Sequence, residues 1–177
     1  MWAAWERGGR LPAAWLAMPA AAVALSRGLQ GDGTGFTLWR SRAVGVARVD
    51  DAAESPLLAA FADARVAVHS GMFEAAETLV ARAFAPFPDG RFGAYARAAG
   101  AELAVAAGSA DAADRLVGAG AAENDWALAC VARATGRLHG DPAAFAAAIE
   151  GFRALGARFE EDATLALRRA SVRATRG

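Results

Sequence analysis

The sequence predicts an all-α fold, a right-handed superhelix of about four antiparallel helix pairs followed by one further helix. Ala, the best helix former, fills more than a quarter of the 177 positions. Four short glycine-centred turns recur, around Gly31, Gly71, Gly108 and Gly140, at spacings of 40, 37 and 32 residues. Such periods belong to helix-pair solenoids. No segment sustains the period-two alternation of a strand.

Positions at equal distance from the four glycines agree in kind. Ten residues before them stand Ala21, Phe61, Ala98 and Cys130, and eight after them stand Trp39, Leu79, Leu116 and Ala148. Twelve after them stand Ala43, Ala83, Gly120 and Phe152, small in three of the four. Small residues let two helices cross closely while larger ones fill the groove between them. One domain, residues 1–177, is therefore expected, with repeats at 11–50, 55–88, 91–121 and 124–156 and a terminal helix at 159–171.

In the first repeat the apolar run Leu11 to Leu25 supplies one helix, and Phe36, Trp39 and Ala43 mark its partner, which Val44 to Val49 continue. The run also has the outline of a secretory signal, with Arg7 and Arg10 before it and Ala22-Val23-Ala24 within it. Against that reading stand Trp2, Trp5 and Glu6 ahead of it and Pro12 and Pro19 inside it, so a cytoplasmic protein is expected and secretion is the minor alternative. The run falls short of the roughly 20 residues that span a bilayer, so no membrane partner is expected. Trp2, Trp5 and Trp15 are expected to lie under a neighbouring helix.

The second repeat has the clearest grammar. Ser55 suits an N-cap and Pro56 the first helical position, and Leu57, Phe61 and Val68 mark one face up to Gly71. Phe73, Ala76, Leu79, Val80, Ala83 and Phe84 form an i, i+3, i+4, i+7 stripe on its partner, which Pro86 and Pro88 end. In the third repeat, Asp111 to Ala122 is the poorest helix former, since Gly118 and Gly120 each cost about 1 kcal/mol against Ala. In the fourth, Asn124 caps a helix holding Trp126, Cys130 and Val131, and Asp141-Pro142 starts one holding Phe145, Ala148, Ile149, Phe152 and Leu155. Gly156 ends it, and Phe159, Ala163 and Leu167 begin the last helix.

Gly71-Met72-Phe73-Glu74-Ala75-Ala76, with Ala83 and Pro88 following, resembles the middle of a tetratricopeptide repeat, although Ala60, Asp63 and Ala64 stand where that family has its Trp and Leu-Gly. The stretch from Gly151 to Glu160, with Ala163 and Leu165 after it, is similar to the closing repeats of actinobacterial LuxR-type transcriptional regulators and their signalling ATPase relatives. The resemblance implies a tetratricopeptide-like α-solenoid lying between an ATPase and a helix-turn-helix. A GC-rich genome of that sort also accounts for all 19 basic residues being Arg and for a single Ile, Asn and Tyr.

Several chemistries lack their residues. With no Lys, a P-loop, a Schiff base and a Ser-Lys pair are all excluded. Gly31-Asp32-Gly33-Thr34-Gly35 follows a helical pattern rather than the strand a dinucleotide loop needs, and reads as an inter-helix turn. His69 and His139 fall near equivalent turns without a cluster of further ligands, so no metal is expected. Cys130 is the only cysteine and reads as a buried small hydrophobe. Glu160-Glu161-Asp162 complements a helix N-terminus more simply than it serves as an acid/base pair. Formal net charge is zero, which leaves no basic footprint for direct nucleic-acid binding.

The expected function is thus that of a non-catalytic module for protein interaction or signal relay, without cofactor, meeting a protein or peptide partner. Arg65, Arg97, Arg133 and Arg137 belong to the first helices of successive repeats, where a shared face would receive an acidic peptide through bidentate contacts. A solvated face with salt bridges to Glu102, Asp63 or Asp114 is the plainer expectation. A free-standing peptide-binding adapter and a small-molecule sensor with a pocket between helices are the alternatives.

Overall fold

A computed structural model describes residues 2–7, 14–47, 54–86, 92–120 and 124–174. These are helical and contain no strand. α1 (Trp2–Arg7) and a 3-10 turn (Ala14–Leu16) precede four pairs: α2 (Ala17–Leu29) with α3 (Gly33–Ala47), α4 (Glu54–Ser70) with α5 (Ala76–Ala83), α6 (Gly93–Ala107) with α7 (Ala112–Gly118), and α8 (Asp125–His139) with α9 (Pro142–Ala154). α10 (Arg158–Ala174) follows. The all-α expectation holds.

The glycine grammar has a direct physical basis. Gly31, Gly71, Gly108 and Gly140 all adopt positive φ, between 65° and 79°, where a Cβ would be strained. Each therefore ends a first helix and turns the chain into its partner. Side chains set the starts: the Asn124 carboxamide accepts from Ala127 N at 2.8 Å, Asp141 accepts from Ala143 N at 2.8 Å ahead of Pro142, and Asp32 accepts from Gly35 N at 2.8 Å. The Asp32 bond makes the Gly31 to Gly35 stretch a capped helix-helix turn. Gly156, at φ 66°, stops α9 as expected.

Helices of one pair pack on each other, and the first helices α2, α4, α6 and α8 pack side by side in chain order. α10 lies against α9 and α8. Missing side chains make these approaches possible. A Cβ on Gly28 of α2 would stand 2.4 Å from Val66 of α4, and one on Gly151 of α9 would stand 2.9 Å from the Cβ of Ala129 in α8. Ala20, Ala21 and Ala43 form the core of the first pair, so the run suspected as a signal packs, from Ala17 onward, as a core helix. No described helix is long and apolar enough to cross a membrane.

Some boundaries differ from those expected. α5 begins at Ala76, so Phe73 sits in the preceding turn, whose Phe73 carbonyl accepts from Ala76 N, and Phe84 is the residue after the helix. α4 starts at Glu54, which puts Ser55 inside the helix rather than at its cap. α7 ends at Gly118, and Gly120 takes a positive φ outside any helix, so the repeat register breaks there. The cost of two glycines within three residues accounts for the early stop. Pro88 and residues 48–50 fall outside the described residues.

Candidate functional site

The buried faces of α4, α6, α8 and α10 bring an ionic cluster together. On α4, Phe61, Arg65 and His69 are spaced four apart and share one face. On α8, Trp126, Cys130 and Arg133 do the same at intervals of four and three. α6 contributes Glu102 from an otherwise apolar stretch, and α10 contributes Glu160 and Thr164, one turn apart.

Arg65 donates from Nη1 to Glu102 and from Nη2 to both Glu160 oxygens, at 2.7 and 2.6 Å, and to His69 Nε2. Arg133 Nη2 reaches Glu102 Oε2 at 2.9 Å, its Nε stands 2.6 Å from Glu102 Oε1, and its Nη1 reaches Glu160 Oε2 at 2.7 Å. Thr164 Oγ1 accepts from Arg133 Nη1 at 3.3 Å and donates to the Glu160 carbonyl at 2.7 Å. Arg65, Arg133 and Glu102 are each 1% exposed. Two guanidinium and two carboxylate groups thus alternate in the protein interior, and their formal charges cancel.

Aromatic rings close one side. Trp126 stacks on Tyr95 at 5.5 Å and meets Phe61 edge-on at 5.2 Å. Arg65 lies over the Trp126 ring at 5.4 Å and Arg133 over Phe152 at 4.8 Å. The apolar walls desolvate the ions, which strengthens their attraction and raises the penalty of leaving any one unpaired.

Electrostatics follow from this enclosure. Burial pushes the Glu102 carboxyl up, but Arg133 and Arg65 outweigh it and hold the group below its ordinary value. Glu160 is likewise lowered: burial opposes ionisation, and the neighbouring His69 ring, Arg65 and Arg133 overcome it. Arg133 is raised, the carboxylates prevailing over desolvation. The Cys130 thiol is pushed well above its usual value by burial and then by Glu102, to which its Sγ donates at 3.1 Å. A thiol held protonated is no thiolate nucleophile, and carboxylates locked as anions carry no proton to give. What the arrangement does is tie four helices together.

The four arginines named from the sequence separate into two kinds. Arg65 and Arg133 converge on the same two carboxylates inside the protein, each 1% exposed, so neither faces an external peptide. The plainer expectation of a salt bridge to Glu102 is met, but in the interior rather than on a solvated face. Asp63 pairs with Arg40 of α3 instead, at 2.5 Å. Arg97 and Arg137 are half-buried, and among the described residues each donates to a backbone carbonyl, Ala119 at 3.4 Å and Ala106 at 3.5 Å, and to no carboxylate.

Glu160 is more than a helix-terminus charge, and sequence reasoning missed its role. A signal was present in Glu102, flanked by Gly100, Ala101, Leu103 and Ala104, since a lone carboxylate in an apolar helix requires a buried cation. His69 packs against Phe159 with ring centroids 4.8 Å apart, and His139 is exposed. Trp15 corrects another expectation: it is 65% exposed, because the 3-10 turn aims the adjacent Leu16 into the core instead. The side chains of Trp2 and Trp5 lie outside the described residues. No group of three or more His, Cys, Asp or Glu side chains suited to a metal ion occurs among the described residues. No protein-family model, curated protein or solved structure matches the chain.

Proposed function

We propose that this chain is a non-catalytic helical-repeat module for protein interaction or signal relay, belonging to or derived from a transcriptional or signalling regulator, and that its pairs wind as a right-handed, tetratricopeptide-like superhelix. The carrying observation is the cluster itself. Glu160 of the terminal helix binds Arg65 of the second pair and Arg133 of the fourth, so a displacement at α10 reaches α4 through charges that cannot be left unpaired. Function then lies in shape and coupling, with a protein or peptide as partner and neither cofactor nor nucleic acid bound by this segment. The adapter reading is less favoured, because two of its four arginines are already neutralised.

The test is to read the DNA that flanks the coding frame in its source. An in-frame ATPase upstream or a helix-turn-helix downstream is the expected result and makes the chain the relay segment of a regulator. Stop codons tight on both sides would overturn the relay reading and redirect the search to a partner for a free adapter.

A further inference from the structure

Beside the cluster, between α4, α8 and α10, lies a cavity of about 400 Å³. Its lining is aliphatic at Val68, Ala163, Leu167 and Ala170, and His69, Glu102 and Arg133 add polar groups. Such a volume, apolar lining and sparse set of polar groups suit a small ligand. The charges around it do not balance. Arg65, Arg133, Glu102 and Glu160 cancel one another, and His69 has its Nε2 engaged by Arg65. Arg137, on the cavity wall, touches only the Ala106 carbonyl and has no carboxylate partner among the described residues.

We propose that this cavity binds a small aliphatic monocarboxylate, whose anionic head meets the Arg137 guanidinium and whose hydrocarbon body lies along α10. A guanidinium offers paired N–H donors that match a carboxylate, and the Ala and Leu side chains of α10 offer no polar atom to a longer polar ligand. The ligand would touch α4, α8 and α10 together and so stabilise the docked position of the terminal helix. This site stands independently of the interaction role, since a ligand-free relay and a ligand-binding module are both compatible with the ionic cluster.

The test is thermal unfolding of the full chain with sodium octanoate, against sodium chloride at equal ionic strength and against 1-octanol. Octanoate is expected to raise the melting temperature saturably while 1-octanol does not. Arg137→Gln is expected to weaken the apparent affinity about tenfold, and Leu167→Trp, which fills the cavity from α10, to abolish the shift. Two variants on different helices keep the result readable if one fails to fold, which circular dichroism checks beforehand. No saturable rise with octanoate, an equal rise with 1-octanol, or a rise unchanged in folded Arg137→Gln would each overturn the proposal.

Discussion

Glu160 Oε2 stands 2.6 Å from Arg65 Nη2, although 95 residues of chain separate the two. The same oxygen lies 2.7 Å from Arg133 Nη1. One carboxylate therefore serves two guanidinium groups on different helices. Its removal strands charge in a space from which water is largely excluded.

Glu160→Gln keeps the side chain's shape and removes its charge, so about 3 to 5 kcal/mol of stability should be lost. Glu161→Gln, one residue on, removes a salt bridge to the exposed Arg153, which solvent screens, and should cost far less. Denaturant midpoints of the two variants, measured side by side, decide the matter. Equal midpoints would mean that the cluster contributes nothing to holding α10.

Acid should release the same lock. The folded-state pKa values of Glu102 and Glu160 are both depressed. Their stabilisation is therefore complete above the ordinary glutamate value of about 4.3 and is lost as pH falls below it towards the folded values. A series of urea melts from neutral pH down to pH 3 should show stability declining through that window. In Glu160→Gln the decline should be shallower, because one of the two linked protons is gone.

Ala83 of α5 meets Gly100 of α6 at a crossing so close that a Cβ added to Gly100 would lie 2.6 Å from the Ala83 Cβ. Gly100→Ala gains about 1 kcal/mol of helix propensity but overpacks by about 1 to 3 kcal/mol, so a net loss is expected. Moving the methyl across the interface, with Ala83→Gly and Gly100→Ala together, should recover part of that loss. Ala83→Trp, whose ring has nowhere to go, should cost more than either. A double variant no better than Gly100→Ala alone would rule out this crossing as the cause.

The turn glycines should be intolerant for a reason that has nothing to do with space. Around Gly140 nothing lies within 4 Å of an added Cβ, yet its φ is 65°. Gly140→Ala should therefore destabilise by about 1 to 2 kcal/mol through backbone strain alone. Gly45, also with open space but inside α3, should gain up to about 1 kcal/mol from the same substitution. Thermal melts of the two variants moving in the same direction would contradict this account.

Most helices and their turns were legible in the amino-acid order. Gly71, Gly108 and Gly140 mark their turns because an L-residue resists a positive φ, and Asn124 and Asp141 mark helix starts because their side chains satisfy free backbone N–H groups. Such effects act within a few residues and so survive in a local reading. α5 shows the limit: the stripe from Phe73 to Phe84 has helical spacing, but periodicity alone does not say where the hydrogen bonds begin.

Composition and spacing thus determined that the chain is helical, where most pairs turn, and that small residues such as Ala83 sit at crossings. Only the tertiary structure decided that Arg65 and Arg133 face inward to share Glu102 and Glu160, while Arg137 stays beside a cavity. The four arginines look alike along the chain. What separates them is whether a carboxylate from a distant helix arrives within about 3 Å, and that depends on how the helices stack, which no local pattern of residues encodes.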